Sequence, residues 1–322
     1  MTLDRIAIIV IGRNEGARLE ACLAAIPEGI AALVYVDSGS TDGSVAAARA
    51  AGARVVELDP AIPFTAARAR NAGVAALTAD GHAPDYLQFI DGDCTLAPDW
   101  LAKASAFLDA TPRAAVVCGR RRERHPDASV YNRLCDREWD TPVGQARACG
   151  GDALMRRAAF VAAGGFRDDL IAGEEPELCL RLRAAGWQVW RIDAEMTLHD
   201  AAMTRFGQWW TRARRAGFAA AQGAALHGRG PDRHGIAQTL RALVWGIGLP
   251  AVTVLAGLAT PWALALLVAY PGQVIRLALR KGGDWEEAAF LTLGKFPEAL
   301  GVLDYALRSL RGTRPVKIME YK

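Results

Sequence analysis

The sequence of 322 residues lacks the motifs that would assign it directly to several common classes. Its six cysteines are scattered, without a Cys-x-x-Cys pair or the spacing of a zinc module. A disulfide framework is therefore not expected, and a reducing compartment fits best. Neither GxGxxG nor a P-loop ending in GKS or GKT occurs, which excludes the usual glycine-rich cradles for dinucleotides and ATP. The net charge of +3 gives no argument for a nucleic-acid partner.

A second absence concerns charge in the C-terminal third of the chain. No Asp, Glu, Lys, Arg or His occurs from residue 242 to residue 275, between Arg241 and Arg276. This length suffices for one tilted membrane helix or for a re-entrant hairpin, and three prolines within it favour the hairpin. Positive charge on both sides predicts that both ends stay cytoplasmic. A buried helical pair in a soluble domain is the alternative.

The amino-terminal segment also lacks a targeting signal. The chain passes through Asp4 and Arg5 into the apolar run IAIIVI at 6–11. That run is too short for a signal peptide and is not followed by a small-residue cleavage site. We therefore expect this end of the protein in the cytosol.

What the sequence does contain is a regular alternation of short apolar runs and helical patterns in its first hundred residues. The apolar runs predict strands at 6–11, 32–37, 53–58 and 86–90, with helices between them, including one over 64–79. Strands that alternate with helices of this length indicate a parallel sheet covered on both faces. Further along, a strand is expected to run into a basic loop, GRRRERH at 119–125. An amphipathic helix at 175–187, a strand at 188–192 and a long helix over roughly 203–226 follow.

Polar side chains stand where the predicted strands end. They are Asn14 and Glu15, Asp37, and the pair Asp91 and Asp93. Because the carboxyl ends of parallel strands share one edge of the sheet, these groups are expected to converge on one cleft. Like charges so close repel each other unless a cation lies between them. A hard divalent cation that also holds phosphates would explain the Asp-Gly-Asp pair, whereas two solvated acids in a surface turn are the alternative.

Two further groups of charged residues precede or begin predicted helices. Arg70 is predicted to reach into the cleft, where a guanidinium matches phosphate oxygens, although a surface position is equally open. Glu174, Glu175 and Glu177 stand at the start of another helix. Acidic residues there suit the helix dipole, but a carboxylate that faces the cleft could also act as a general base.

Six motifs stand in order over roughly 6–215. They are IIVIGRNEG, YVDSGSTDGS, ARARNAG, FIDGDC, GGDALMRRAAFVAAGGF and GEEPELCLRLRAAGW. This ordered set resembles the family 2 glycosyltransferases of the GT-A fold, in particular their bacterial membrane-associated members. The resemblance implies an α/β fold with a mainly parallel central sheet, followed by a C-terminal helical region associated with the membrane. It also implies the inverting transfer of a single sugar from a nucleotide-diphosphate sugar, most simply a UDP-sugar, to an acceptor hydroxyl.

The same resemblance implies roles for individual residues. Asp37 would bind the base and Asp91 would lie near the ribose, while Asp93 and His199 would hold Mg²⁺ or Mn²⁺ at the diphosphate. Glu175 falls at the position of the catalytic base, which is usually an aspartate in the family, so Glu174 remains the alternative. The other implied donor-site residues are Asn14, Glu15 and Arg70, and the implied acceptor-site residues are Gly151, Asp152, Trp209 and Arg212.

The expected organisation is a GT-A catalytic domain over 1–228 and a helical region over 229–322. The catalytic domain would divide into a nucleotide-sugar half (1–111) and an acceptor half (112–228), and the helical region would hold an apolar hairpin (242–275) and an amphipathic helix (about 285–311). The expected acceptor is a lipid-linked saccharide of cell-envelope or exopolysaccharide synthesis, at the cytoplasmic face of the inner membrane. A polyprenyl-monophosphate glycosyltransferase and an inactive scaffold of a membrane complex are the competing interpretations.

Overall fold

The structure is a computed structural model, and it describes residues 3–312. The chain forms two compact units, Met1–Thr204 and Arg205–Lys322. The long helix that begins at Phe206 therefore belongs to the second unit, whereas the sequence analysis assigned it to the first domain. The reason is its partner, because this helix packs along the helix Lys295–Leu310, a segment far away in sequence.

One nine-stranded sheet forms the centre of the first unit. Its strands are β1 (Ile6–Gly12), β2 (Ala32–Asp37), β3 (Arg54–Glu57), β4 (Tyr86–Asp91), β5 (Cys94–Leu96), β6 (Ala114–Glu123), β7 (Gly144–Ala146), β8 (Ala153–Arg156) and β9 (Gln188–His199). Seven helices belong to the described part of this unit. They are α1 (Ala17–Ala24), α2 (Ser44–Ala50), α3 (Ala66–Ala79), α4 (Trp100–Ala110), α5 (Val130–Glu138), α6 (Arg157–Ala162) and α7 (Glu174–Ala184).

The sheet is parallel on one side and mixed on the other. Strands β3, β2, β1 and β4 lie side by side and run parallel, as the alternating sequence pattern predicts. Strand β8 then pairs antiparallel with both β4 and β6, and β5 and β7 pair antiparallel with β9. The predicted α/β class is confirmed, and the sheet is mixed because these three short strands add antiparallel pairs.

Strand β1 lies at the centre of the core in the parallel half of the sheet. Its residues Ile6 to Val10 are at most 1% exposed, as expected for a strand with neighbours on both edges and helices on its faces. Helix α3 approaches this strand at Gly73, where an added Cβ atom would lie 2.5 Å from a side-chain carbon of Ile9. A glycine is therefore required for the helix to pack this closely on the sheet.

The predicted basic loop at 119–125 is largely strand. Strand β6 continues to Glu123 and pairs parallel with β9, with register shifts around Arg120. Arg120 is buried and contacts Asp136 at 3.0 Å, while Arg122 pairs on the surface with Glu195 at 2.8 Å. The sequence prediction was wrong here because pairing with a distant strand, together with local ion pairs, outweighs the low strand propensity of a run of charges.

The second unit is helical throughout its described part, which ends at residue 312. Its helices are α8 (Phe206–His227), α9 (Ile236–Leu243), α10 (Leu249–Gly257), α11 (Ala269–Arg280), α12 (Trp285–Leu293) and α13 (Lys295–Leu310). A π-helical turn at Val244–Gly248 joins α9 to α10, and a 3₁₀ segment at Pro261–Val268 precedes α11. The amphipathic helix predicted over about 285–311 is thus divided into α12 and α13, with Gly294 between them.

Helices α8 and α13 pack with their backbones in contact. A Cβ atom on Gly217 would lie 1.9 Å from the carbonyl oxygen of Glu298, and one on Gly301 would lie 1.9 Å from that of Arg214. The Arg214 guanidinium also pairs with Asp304 across the two helices, at 2.5 Å. Glycine permits this close approach because it has no side chain.

Two long apolar helices of the second unit are mostly exposed. The first is the continuous helical run Ile236–Gly257, which contains α9 and α10, and the second is Pro261–Arg280, which contains α11. Both are long and apolar enough to cross a membrane, and only 11% of the most apolar stretch of each is buried. Leu258 and Trp262, at the turn between them, are each 84% exposed. A helical hairpin was predicted for this segment. Its apolar side chains are largely exposed, unlike those of the buried helical pair that was the alternative.

Candidate active site

Asp37 closes the turn that follows strand β2. One carboxylate oxygen, Oδ2, accepts from the backbone N–H groups of Gly39 (2.9 Å) and Ser40 (2.8 Å). The other oxygen accepts from the Tyr35 hydroxyl at 3.1 Å. Burial, followed by the charge of Asp37, raises the pKa of Tyr35, so its hydroxyl keeps the proton that it donates. The structure therefore holds the Asp37 carboxylate in one orientation at the sheet edge.

Asn14 links the loop after β1 to the turn after β2. Its backbone has a positive φ of 55°, a conformation that asparagine tolerates better than most residues. Its N–H donates to the Ser40 hydroxyl at 2.9 Å, and its side-chain oxygen accepts from the Thr41 N–H at 2.7 Å. Next to it, Glu15 pairs with Arg18 at 2.8 Å. These two loops are therefore joined at the edge where Asp37 lies.

Arg70 on α3 bridges two other predicted site residues. Its guanidinium lies 2.9 Å from Asp91 Oδ1 and 2.7 Å from Glu174 Oε1, and its side chain is only 2% exposed. Burial opposes the charge, but the carboxylates of Asp91 and Glu174 outweigh it and hold the pKa of Arg70 above its ordinary value. Strand β4 and helices α3 and α7 are thus joined through one buried cation.

A second cation, Arg121, lies on strand β6, with its side chain 13% exposed. Its Nη2 atom is 2.7 Å from Asp152 Oδ2 and 3.7 Å from Asp91 Oδ2. Asp152 is fully buried, and it also accepts from the Asp91 N–H at 3.0 Å and from the Thr197 hydroxyl at 2.9 Å. Buried charges are stable only when they are paired and hydrogen-bonded, and here the pairing fixes the end of strand β4.

Gly151 lies where these charged groups meet. A Cβ atom on this residue would be 3.1 Å from both Arg121 Nη2 and Asp91 Oδ2, and 3.2 Å from Arg70 Nη2. A glycine therefore brings the backbone against the charge network without a side chain that would push the two guanidinium groups apart. The structure brings Gly151 and Asp152 together with Arg70, Asp91 and Glu174.

Asp93 and His199 face each other beyond the end of β4. The antiparallel pairing of β5 with β9 places Cys94 opposite His199 and sets His199 Nε2 at 3.4 Å from Asp93 Oδ1. The other ring nitrogen, Nδ1, is 3.8 Å from Glu123 Oε2. Burial alone would raise the pKa of Glu123, but the neighbouring His199 and two backbone N–H groups hold it below its ordinary value.

This arrangement fits a divalent cation. The ligand atoms of Asp93, Cys94 and His199 lie within 4.8 Å of one another, and all three residues are buried. A carboxylate oxygen and an imidazole nitrogen are suitable ligands for Mn²⁺. The carboxylate of Glu123 beyond Nδ1 is the kind of group that orients a metal-binding histidine.

Glu174 and Glu175 begin helix α7 but have different surroundings. Glu174 pairs with Arg70, whereas Glu175 accepts from the backbone N–H of Cys149 and, at 3.2 Å, from the Cys179 thiol. Glu175 is 6% exposed, and its burial raises the pKa of its carboxyl group, which the hydrogen bonds only partly oppose. The two adjacent carboxylates therefore differ in their partners. Glu174 pairs with a cation, whereas the Cys149 N–H and the Cys179 thiol that donate to Glu175 are neutral groups.

Trp209 and Arg212, the other two predicted acceptor residues, lie on α8 in the second unit. The Trp209 ring packs against Phe206 at 5.4 Å and edge-on against Phe290 at 5.0 Å. Arg212 is half-buried on the same helix. Within its own unit, Trp209 is therefore a packing residue, as the aromatic-rich sequence of this helix allows.

The sequence analysis did not identify Arg121 and Glu123. Both lie on strand β6, two residues apart and therefore on the same face, since side chains alternate along a strand. That spacing was visible in the sequence, but it is informative only for a strand, and this segment was predicted to be a loop. Cys179 lies one helical turn after Glu175, a spacing that was visible in the sequence. The approach of Cys149 left no signal, because it is 30 residues from Cys179 and joins it only in the fold.

The mixed sheet, with an Asp-Gly-Asp segment at the carboxyl end of β4 and a charge network beside it, agrees with the GT-A class of α/β proteins. In agreement with this class, residues 7–161 match the family model described as glycosyl transferase family 2. The chain is also 33% identical over 202 residues to an uncharacterised glycosyltransferase of Mycobacterium bovis. That match covers 60% of this chain and 85% of that protein. The chain belongs to the family 2 glycosyltransferases and is a transferase.

Two other similar proteins extend the comparison. The succinoglycan biosynthesis protein ExoA of Rhizobium meliloti is 28% identical over 202 residues, a match that covers 58% of this chain but only 60% of that protein. Among solved structures, a mannosyltransferase from Pyrobaculum calidifontis in complex with GDP-mannose and Mn²⁺ superposes with a TM-score of 0.63 at 23% identity. The match covers 93% of this chain and 87% of that one, so the shared fold extends beyond residues 7–161.

Proposed function

We propose that this protein is an inverting glycosyltransferase that moves one sugar from a nucleotide-diphosphate sugar to a hydroxyl group of a lipid-linked saccharide. The observation that carries the proposal is the pair Asp93 and His199, 3.4 Å apart, beside the charge network of Arg70, Asp91 and Asp152. Burial of so many ionised groups is costly unless they position a ligand or one another. A diphosphate with its cation is the ligand that this combination suits best.

Donor binding is assigned to the edge formed by β1, β2 and β4. Asp37 would accept a hydrogen bond from a base N–H, and Asp91 would accept one from a ribose hydroxyl. The loops of Asn14 and Glu15, which are tied to the turn after Asp37, would form the wall around the nucleoside. Arg70 would act by holding Asp91 and Glu174 in place, because its guanidinium is already engaged by these two carboxylates.

Asp93 and His199 would hold the cofactor, Mg²⁺ or Mn²⁺. The Mn²⁺ and GDP-mannose in the structure of the Pyrobaculum mannosyltransferase support this assignment for a chain of the same fold. When bound, such a cation neutralises the negative charge that develops on the departing diphosphate. Glu123 would keep His199 oriented with Nε2 towards the cation.

Glu175 is assigned as the general base in preference to Glu174. The base must be ionised and must gain a proton from the acceptor hydroxyl as that oxygen attacks the sugar. The carboxylate of Glu174 is already engaged by the Arg70 guanidinium at 2.7 Å. Burial, by contrast, raises the pKa of Glu175 and makes it a better proton acceptor than an ordinary glutamate. Gly151 and Asp152, next to the same network, would then lie at the acceptor side.

The second unit would attach the enzyme to the cytoplasmic face of the membrane. The two exposed apolar helices and the turn at Leu258 and Trp262 supply apolar surface of the required length. On α13, the exposed residues Leu300, Leu303 and Leu307 form a stripe that suits the membrane interface. The similarity to ExoA supports a role in polysaccharide synthesis.

Sugar transfer in the presence of membrane lipids tests the proposal. Purified protein is incubated with UDP-, GDP- or TDP-sugars, Mn²⁺ or Mg²⁺, and lipid-linked saccharides or polyprenyl monophosphate, and the products are analysed by mass spectrometry and NMR. A glycoside with inverted anomeric configuration, formed only with metal, is the expected result. A sugar phosphoester would instead favour the polyprenyl-monophosphate enzyme. No transfer and no donor hydrolysis with any combination would favour an inactive scaffold.

A further inference from the structure

A second cluster of potential metal ligands lies around Glu175. The Sγ atoms of Cys149 and Cys179 are 3.8 Å apart, and Cys179 Sγ is 3.2 Å from Glu175 Oε1. The potential ligand atoms of all three residues lie within 4.8 Å of one another. The three residues are between 0% and 7% exposed, so the cluster is buried.

The spacing of these atoms matches tetrahedral zinc. Two thiolates, each about 2.3 Å from a zinc ion at the tetrahedral angle, are about 3.8 Å apart, and a thiolate and a carboxylate oxygen are about 3.6 Å apart. The sulfur separation in the structure is 3.8 Å, and the sulfur–oxygen separation would need to increase by only a few tenths of an ångström. By contrast, a disulfide between the same sulfurs would require them to approach to about 2.0 Å.

The ligand types also separate this cluster from the site of Asp93 and His199. Two sulfur ligands and one carboxylate suit a soft or borderline cation such as Zn²⁺ or Cd²⁺, whereas Mg²⁺ prefers oxygen ligands. Zinc binds thiolates, so metal binding must displace the protons of both thiols, and the affinity is expected to increase with pH.

We propose that Cys149, Cys179 and Glu175 form a zinc-binding site that inhibits the enzyme when it is filled. The inhibitory part rests on the proposed function, because a zinc ion bound to the Glu175 carboxylate would withhold it from the acceptor proton. Zinc would replace the thiol protons of Cys149 and Cys179, and these protons would pass to solvent. The fourth tetrahedral position would be taken by water.

Titration with Cd²⁺ tests the site without any measurement of activity. The protein is reduced with a non-chelating phosphine and saturated with Mg²⁺, and the ultraviolet charge-transfer band of cadmium–thiolate bonds is recorded. One Cd²⁺ per chain with a two-thiolate band is expected for the wild type. Cys149→Ser and Cys179→Ser should each weaken binding at least tenfold. Cys135→Ser, which removes a buried thiol from α5, is the matched control and should leave the band unchanged.

A third variant separates this cluster from the other candidate metal site. Cys94→Ser removes the thiol next to Asp93, and the band is expected to persist in it. Loss of the band in Cys94→Ser with retention in Cys149→Ser and Cys179→Ser would overturn the proposal, as would the absence of any band in the wild type. The two serine variants at the cluster are independent, so misfolding of one, detected by circular dichroism, leaves the other as the test.

Inhibition is then measured as sugar transfer against free Zn²⁺ at saturating Mg²⁺ or Mn²⁺. The concentration for half inhibition should rise at least tenfold in Cys179→Ser relative to Cys135→Ser. A wild type that binds Cd²⁺ at the cluster but transfers sugar equally well with the site filled by Zn²⁺ would overturn the inhibitory role and argue against Glu175 as the base. A protein that binds Cd²⁺ at the cluster but binds no nucleotide would retain the metal site and lose the proposed function.

Discussion

The two units of this protein depart from the usual distribution of polar and apolar groups in opposite ways. The first unit buries charge, since Arg70 and Asp152 are 2% and 0% exposed and lie in one network with Asp91. The second unit exposes apolar surface, most strongly at Leu258 and Trp262, which are each 84% exposed. Both features cost free energy in water, and each indicates a different partner. Buried charge is the basis for the polar ligand that we propose in the cleft, and exposed apolar surface is the basis for the membrane association that we propose for the second unit.

The largest expected effect is on catalysis, through the carboxylate that we assign as the base. Glu175→Gln should lower kcat by about 10²–10⁴-fold, the usual contribution of a general base. Glu177→Gln is the matched control on the same helical turn, because Glu177 pairs with Arg181 and should leave kcat within a few-fold of the wild type. Steady-state kinetics check this, and a Glu175→Gln variant that keeps more than a tenth of the wild-type kcat would contradict the assignment.

The same residue predicts a dependence on pH. Since burial raises the pKa of Glu175, wild-type kcat should fall on acidification with an apparent pKa above the ordinary value of 4.5 for a glutamic acid. The folded state binds this proton more tightly than the unfolded state does, so the stability that it contributes is present at low pH and is lost as the pH rises through the raised value. At neutral pH, Glu175→Gln should therefore not lower the thermal midpoint, which would separate lost activity from lost folding.

The next effect concerns stability and compares two neighbouring arginines. Arg121→Met leaves the buried Asp152 without its cation and should lower the free energy of unfolding by about 3 kcal/mol. Arg122→Met removes a surface pair with Glu195, in which both side chains are at least half exposed, and should cost less than about 1 kcal/mol. Denaturant unfolding measures both, and equal losses would mean that the buried network of the first unit is not what stabilises this strand.

Smaller effects on stability are expected on helix α8 of the second unit, where two glycine substitutions should act in opposite directions. Gly217→Ala places a methyl group against the backbone of α13 and should destabilise the protein by about 1–3 kcal/mol. Gly207→Ala places its methyl group in open space on the same helix. It should stabilise the protein by up to about 1 kcal/mol, because alanine lowers the conformational entropy of the unfolded chain. Thermal unfolding of the two variants compares them, and a shift in the same direction would contradict the close packing of α8 on α13.

The smallest effect on stability is expected at the most exposed apolar residue. Trp262→Ser should change the free energy of unfolding by less than about 0.5 kcal/mol, because the side chain is mostly in solvent. The same variant should bind vesicles of anionic phospholipid several-fold more weakly in a flotation assay. Unchanged vesicle binding, or loss of folding in the variant, would mean that this surface serves packing and does not face a membrane.

The features of the sequence that depend on local pattern were predicted well. The aliphatic run of β1 and the carboxylates that follow β2 and β4 need only periodicity and strand polarity to be recognised, and they lie where these rules place them. The position of Asp37 opposite Gly12, and of Asp91 opposite Ile11, follows from the parallel register alone.

The features that depend on distant pairing were not predicted. The second half of strand β6, from residue 119, was interpreted as a loop because its run of arginines has low strand propensity. Its partners on β9 and the carboxylate of Asp152 make it a strand. Similarly, the boundary at residue 204 depends on α13, which holds α8 in the second unit. The sulfur atoms around Glu175 come from two segments 30 residues apart, and no local signal indicates that they meet.

The central claim is that the edge of the sheet binds a nucleoside diphosphate through a metal. Calorimetry with UDP, GDP and TDP tests this claim most directly. Each nucleotide is titrated with Mn²⁺, with Mg²⁺ and with EDTA, into the wild type and into Asp93→Ala. We predict that one nucleotide binds with metal, and that EDTA or the substitution abolishes this binding. If none of the three binds with metal present, or if Asp93→Ala binds as well as the wild type, the account of this site is wrong.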